Sequence, residues 1–141
     1  MNQFLKSIIA GIVATIVVTV FMMAAPMMGV PKMSPPAMLA NMMGVSLTIG
    51  WVLHFMVGIL FALAYSFVFQ KLIPLKNLYL KGALYGVLLV IVAQVMMTMM
   101  AAPSPEGSMM LALMGKTIGH IILGIVIAVI VEQTPALTNE T

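Results

Sequence analysis

Long apolar stretches separated by short polar breaks set the reading of this chain. Four uncharged or nearly uncharged runs, 7–28, 46–69, 79–102 and 109–131, each reach the roughly 20 residues that a helix needs to cross a hydrocarbon core of about 30 Å. The breaks at 29–45, 71–80 and 103–108 hold most of the prolines and several lysines, and a polar tail occupies 133–141. The pattern predicts an all-α integral membrane protein. A single domain, 1–141, crosses four times as an up-down-up-down four-helix bundle. In the longest break Pro31, Pro35 and Pro36 interrupt the chain, and Ser34 is placed to cap a short segment over 37–43. That segment carries Met38 and Met42 on one face and is expected to lie at the interface as a lid.

The two halves of the pattern resemble each other. Lys6, Gly11, Ile16, Val17, Val20 and Met22 recur 75 positions later as Lys81, Gly86, Ile91, Val92, Val95 and Met97. The string Met22-Met23-Ala24-Ala25-Pro26 recurs as Met99-Met100-Ala101-Ala102-Pro103. At an offset of 66, His54, Gly58, Ile59 and Ala62 match His120, Gly124, Ile125 and Ala128. The expected architecture is therefore a pseudo-two-fold repeat of two helical hairpins, its axis along the membrane normal. The second and fourth spans then lie diagonally across that axis, with their histidines facing each other.

Composition strengthens the membrane reading: 63% of residues are hydrophobic, 6% are charged and the mean hydropathy is +1.21, too apolar for a soluble globule. Lys6, Lys71, Lys76 and Lys81 flank one side of the expected bundle; Lys32 stands on the other, and Lys116 lies inside the fourth run. The positive-inside rule puts both termini in the cytoplasm. The net charge of +3 is then an orientation signal, and without a soluble basic patch it implies no nucleic-acid partner. The first run could pass for a signal peptide, but its length and Pro26 favour a retained span. With no cysteine, disulfides and thiolate metal sites are excluded, so a metal must use His, Met or oxygen.

Two ladders at helical spacing carry the candidate chemistry. Gly50, His54, Gly58 and Ala62 recur every four residues on the second span, as do Lys116, His120, Gly124 and Ala128 on the fourth, so each set shares one face. Gly50, Gly58, Gly124, Ala62 and Ala128 permit close approach, either of a flat ligand or simply of neighbouring helices. An imidazole in a span is costly enough to need a partner. A neutral pair can bind a metal through one nitrogen each, with Gln94 and Thr19 as candidates to orient the other nitrogen. Lys116, one turn from His120, either snorkels to the headgroups or partners an anionic group such as a haem propionate.

The 17 methionines gather, Met1 apart, toward the end that this topology makes outer. Met23 with Met27, Met38 with Met42, Met96 with Met100, and Met110 with Met114 are spaced one helical turn apart, a spacing that can present two thioethers to Cu(I). Such pairs also arise by chance in a chain this rich in Met, where thioethers serve as core fillers.

The run Gly50-Trp51-Val52-Leu53-His54-Phe55-Met56-Val57-Gly58, the segment Met28-Gly29-Val30-Pro31-Lys32-Met33 and the later Gly119-His120-x-x-x-Gly124 resemble a family of small four-span bacterial membrane proteins without assigned function. The resemblance implies a bacterial inner membrane and transfers no activity.

Enzyme chemistry is not expected. Glu106, Glu132 and Glu140 fall in a loop or near the end of the chain, and no nucleophile, base and orienting group share a spacing. The first functional expectation is Cu(I) binding by His54 and His120 with Met23, Met27, Met96, Met100, Met110 and Met114. The alternatives are a b-type haem electron carrier with both histidines as axial ligands, and a cofactor-free accessory or assembly subunit. Expected partners are the lipid bilayer and either another membrane subunit or further copies of the chain.

Overall fold

The computed structural model describes residues 1–102, 104 and 106–133; Pro103, Pro105 and the tail from 134 onward lie outside the described residues. The described chain is helical, without strands. Helix α1 spans Gln3–Ala24 and tightens into a 3-10 turn over Ala25–Met28. Helix α2 spans Pro35–Met43. Helix α3 runs from Leu47 to Leu72 with a π-helical stretch over Tyr65–Phe69. Helices α4, Leu78–Met99, and α5, Met109–Gln133, complete the chain. Four of these, all but α2, are long and apolar enough to cross a membrane.

Polar side chains at the boundaries explain where the helices start. Asn2 accepts from the Leu5 amide at 2.8 Å and Asn77 from Leu80 at 3.1 Å, each satisfying one of the amides that open a helix. Ser34 caps α2 as expected, but with Pro35 and Pro36 as its first two residues, whose fixed φ suits an opening turn. Gly44 ends α2 at φ 65°, a left-handed geometry that glycine adopts at little cost.

Glycine decides which helices touch. A methyl placed on Gly11 of α1 would stand 2.5 Å from Ile59 Cα and 2.8 Å from Gly58 O on α3. One placed on Gly82 of α4 would stand 2.6 Å from Ile125 Cα and 2.8 Å from Gly124 O on α5. Backbone therefore lies on backbone in both antiparallel pairs. The partners Ile59 and Ile125 are 66 apart, as in the sequence match, but Gly11 and Gly82 are 71 apart. Gly86, which the sequence pairs with Gly11, rests one turn away against His120 O and Ile121 Cα. Helix α5 also packs against α1.

Contacts between α3 and α4 have a different basis. At the end of the molecule where α1 begins and α5 ends, Tyr65 and Phe69 of α3 interlock with Tyr85 of α4, with ring centroids 4.8–5.7 Å apart. The Tyr85 hydroxyl donates to Phe61 O at 2.6 Å. These rings hold the two helices a side chain apart at this end.

The same terminal end corrects the reading of the lysines as simple flanking charges. Lys81 is buried and its ammonium lies 2.9 Å from the Glu132 carboxylate, which also accepts from the Tyr65 hydroxyl at 2.5 Å. Lys6 is buried as well. Between α1 and α3, Ser7 donates to Gln3 O and meets Ser66 at 2.6 Å, and Gln3 meets Gln70 at 3.3 Å. Buried polar groups are thus bonded to one another at this end.

Glycine-to-alanine variants at the contacts distinguish packing from propensity. Alanine in place of a mid-helix glycine ordinarily gains about 1 kcal/mol. We expect Gly11→Ala and Gly82→Ala instead to lose about 1–3 kcal/mol each through overpacking, measured as thermal unfolding in detergent by circular dichroism. A gain in either variant would show that the two pairs are not in backbone contact.

Candidate functional site

The space left between α3 and α4 at the α2 end is a cavity of about 210 Å³ to which every helix contributes. Thr15, Val18 and Met22 come from α1; His54, Val57, Gly58 and Phe61 from α3. Helix α4 adds Val90, Ala93, Gln94, Met96 and Met97, and α5 adds Lys116, Gly119, His120 and Leu123. Helix α2 and its approach supply Met33, Pro35, Met38, Leu39 and Met42. Helix α2 and the segment leading into it are fixed at two points. Gly50 of α3 takes Pro36 O and Ala40 of α2 against it, and Gly115 of α5 takes Val30.

Both histidines line this cavity, and α1 serves as a ruler for their height. His54 Nε2 lies 3.0 Å from Thr19 Oγ1. Gly119, beside His120, faces Val18 and Met22, within a turn of Thr19. The two imidazoles therefore sit at similar depth, without a hydrogen bond between them among the described residues.

Their hydrogen bonds assign opposite tautomers. His120 Nδ1 is 2.8 Å from Lys116 O; a carbonyl only accepts, so Nδ1 carries the proton and the neutral ring keeps its lone pair on Nε2. Thr19 donates its one hydroxyl proton to Thr15 O at 2.7 Å. Its oxygen must then accept from His54 Nε2, which leaves the lone pair on Nδ1. Thr19 thus orients His54 as expected. Gln94 lines the cavity but bonds to neither imidazole, and His120 is oriented by its own helix.

The methionines need the largest correction. Of the six expected to join the histidines, only Met96 lines the cavity. Met23, Met27, Met100, Met110 and Met114 are exposed, Met27 at 89%. Met22, Met33, Met38, Met42 and Met97 take their place. Met22 and Met23 differ by about 100° around the helix, enough to turn one inward and the other out, and Met27 falls in the 3-10 turn, which breaks its spacing with Met23. The missed signal was Met97, at the sequence-equivalent place of Met22.

The small-residue ladders serve close packing. Ala62 and Ala128 are fully buried, Gly58 lies against Thr15, and Gly124 lies against Gly82 and Gly86. The room these glycines were expected to offer a flat ring is taken by the Thr15 side chain at Gly58 and by the backbone of Gly82 and Gly86 at Gly124. Lys116 lines the cavity, its ammonium 3.7 Å from Met97 Sδ. Among the described residues no three of His, Cys, Asp and Glu cluster at metal-binding distance, so a metal here would depend on thioethers.

The tautomers can be read directly. In ¹⁵N spectra of the neutral rings we expect protonated Nε2 for His54 and protonated Nδ1 for His120, and Thr19→Val should alter the first spectrum alone. Equal tautomers at the two sites would refute the hydrogen-bond assignment.

No curated protein and no solved structure matches the chain. A family model does, over residues 1–140, for a family of unknown function. A chain with two oppositely polarised imidazoles and a thioether-lined cavity among its helices therefore belongs to the family of unknown function DUF6789.

Proposed function

We propose that this is a non-enzymatic protein of the bacterial inner membrane that holds Cu(I) in the outer half of the bilayer. In this reading the chain is an up-down-up-down bundle of two repeated hairpins, slid by one turn relative to each other, with both termini cytoplasmic. The positions of Lys71 in the last turn of α3 and Lys76 in the loop before α4, against Lys32 beside α2, support that orientation.

One observation carries the reading: His54 and His120 share a cavity, at one height, with the sulfur atoms of Met22, Met33, Met38, Met42, Met96 and Met97. Thioether is a soft neutral donor and imidazole a borderline one, a set that suits Cu(I). No carboxylate or thiolate lines the cavity, so a divalent ion would enter apolar surroundings with more uncompensated charge. The lysine is in tension with any cation. Lys116 occupies a lone pair of Met97 and adds a positive charge, so copper binds against it. A b-type haem is a poorer fit, because 210 Å³ is below the about 300–1,000 Å³ of sites for drug-sized ligands and the glycines are already packed. A cofactor-free accessory subunit is the alternative if no metal binds.

Protein purified in detergent should retain close to one equivalent of Cu(I) against a chromophoric chelator and show no Soret band. Thr19→Val should weaken binding about tenfold, and His54→Ala with His120→Ala should abolish it. Met23→Leu with Met27→Leu should change nothing, and Lys116→Met should tighten binding. Unaltered affinity in the double histidine variant would eliminate the copper reading.

A further inference from the structure

We propose that a second site, between the α2-side ends of α4 and α5, binds the phosphate of an anionic membrane lipid. A cleft of about 420 Å³ opens there and shares Gln94, Met97 and Lys116 with the histidine cavity. Its polar side chains are Lys116, Gln94, Ser104 and Thr98, and the Thr98 hydroxyl already donates to Gln94 O at 2.9 Å. The Lys116 ammonium has only the Met97 sulfur, at 3.7 Å, and no carboxylate within ion-pair distance among the described residues. Sulfur is a weak acceptor, and an ammonium in a membrane span ordinarily finds a stronger partner. The Gln94 side chain makes no hydrogen bond among the described residues, and the exposed Ser104 lies on the rim.

An ammonium, a free carboxamide and a hydroxyl, with no acid lining the cleft, select an oxyanion and disfavour a cation. Charge-assisted hydrogen bonds to a phosphate would satisfy all three. The walls favour a lipid as its source. Met109, Ala112 and Leu113 are apolar, and the outward faces of α4 and α5 beside them carry exposed Val95, Met99, Met110 and Leu113, against which acyl chains can lie. The proposal does not rest on copper binding in the histidine cavity, although the shared Lys116 and Met97 couple the two sites.

The test is native mass spectrometry of the full chain released from mild detergent with phosphatidylglycerol or with diacylglycerol of the same acyl chains. Wild type should retain phosphatidylglycerol about tenfold more than Lys116→Met does, Lys116→Arg should restore retention, and diacylglycerol should not be retained. Circular dichroism melting of each variant shows whether it is folded. Equal retention by wild type and a folded Lys116→Met, or of both lipids by wild type, would overturn the proposal. Displacement of phosphatidylglycerol by equimolar inorganic phosphate would overturn the lipid as source.

Discussion

Apolar side chains gain little by leaving lipid for one another, so helices of this kind associate through backbone contact and hydrogen bonds, and where the chain lacks a side chain determines where it packs. Gly11 against Ile59 and Gly82 against Ile125 bring α1 to α3 and α4 to α5. Between α3 and α4 the separating elements are Tyr65, Phe69 and Tyr85. Aromatic rings act as spacers where glycines act as clasps. The cavity lies at the other end of these two helices, with Val57 and Phe61 of α3 and Val90 and Ala93 of α4 in its wall.

The two ends consequently have opposite character. At the terminal end, aromatic packing and the Lys81–Glu132–Tyr65 bonds close the interior. Lys81 is buried while the Glu132 side chain is 23% exposed, so losing the carboxylate would strand the ammonium, and these bonds tie α3, α4 and α5 together. At the α2 end the polar groups are imidazoles, an ammonium and a carboxamide, without an acid beside them.

The histidines were legible because spacing of four on a helix is a geometric fact that survives folding. His54 and His120 were expected on faces that share an interior, and they do. Thr19 was found by its depth opposite His54, a relation that antiparallel hairpins preserve. The methionines were not legible at the same resolution. Adjacent pairs such as Met22-Met23 and Met96-Met97 place two residues about 100° apart, so spacing identifies which members align with each other but not which of them faces inward. The offset between Gly11 and Gly82 was hidden for a related reason: the capping residues Asn2 and Asn77 keep the sequence register of 75, while the packing surface slides by one turn to 71.

The sequence alone determined the number of apolar helices, their approximate extents and one cap, at Ser34, because hydropathy, helix length and the needs of unpaired amides act locally. It also restricted any metal to His, Met or oxygen ligands, since the chain has no cysteine. The tertiary structure decided which faces of those helices meet, which sulfur atoms line the interior, that Lys81 is a buried partner of Glu132, and that the ladder glycines clasp helices together. Those outcomes depend on how one helix is rotated and slid against another, a relation set by contacts between residues far apart in the chain.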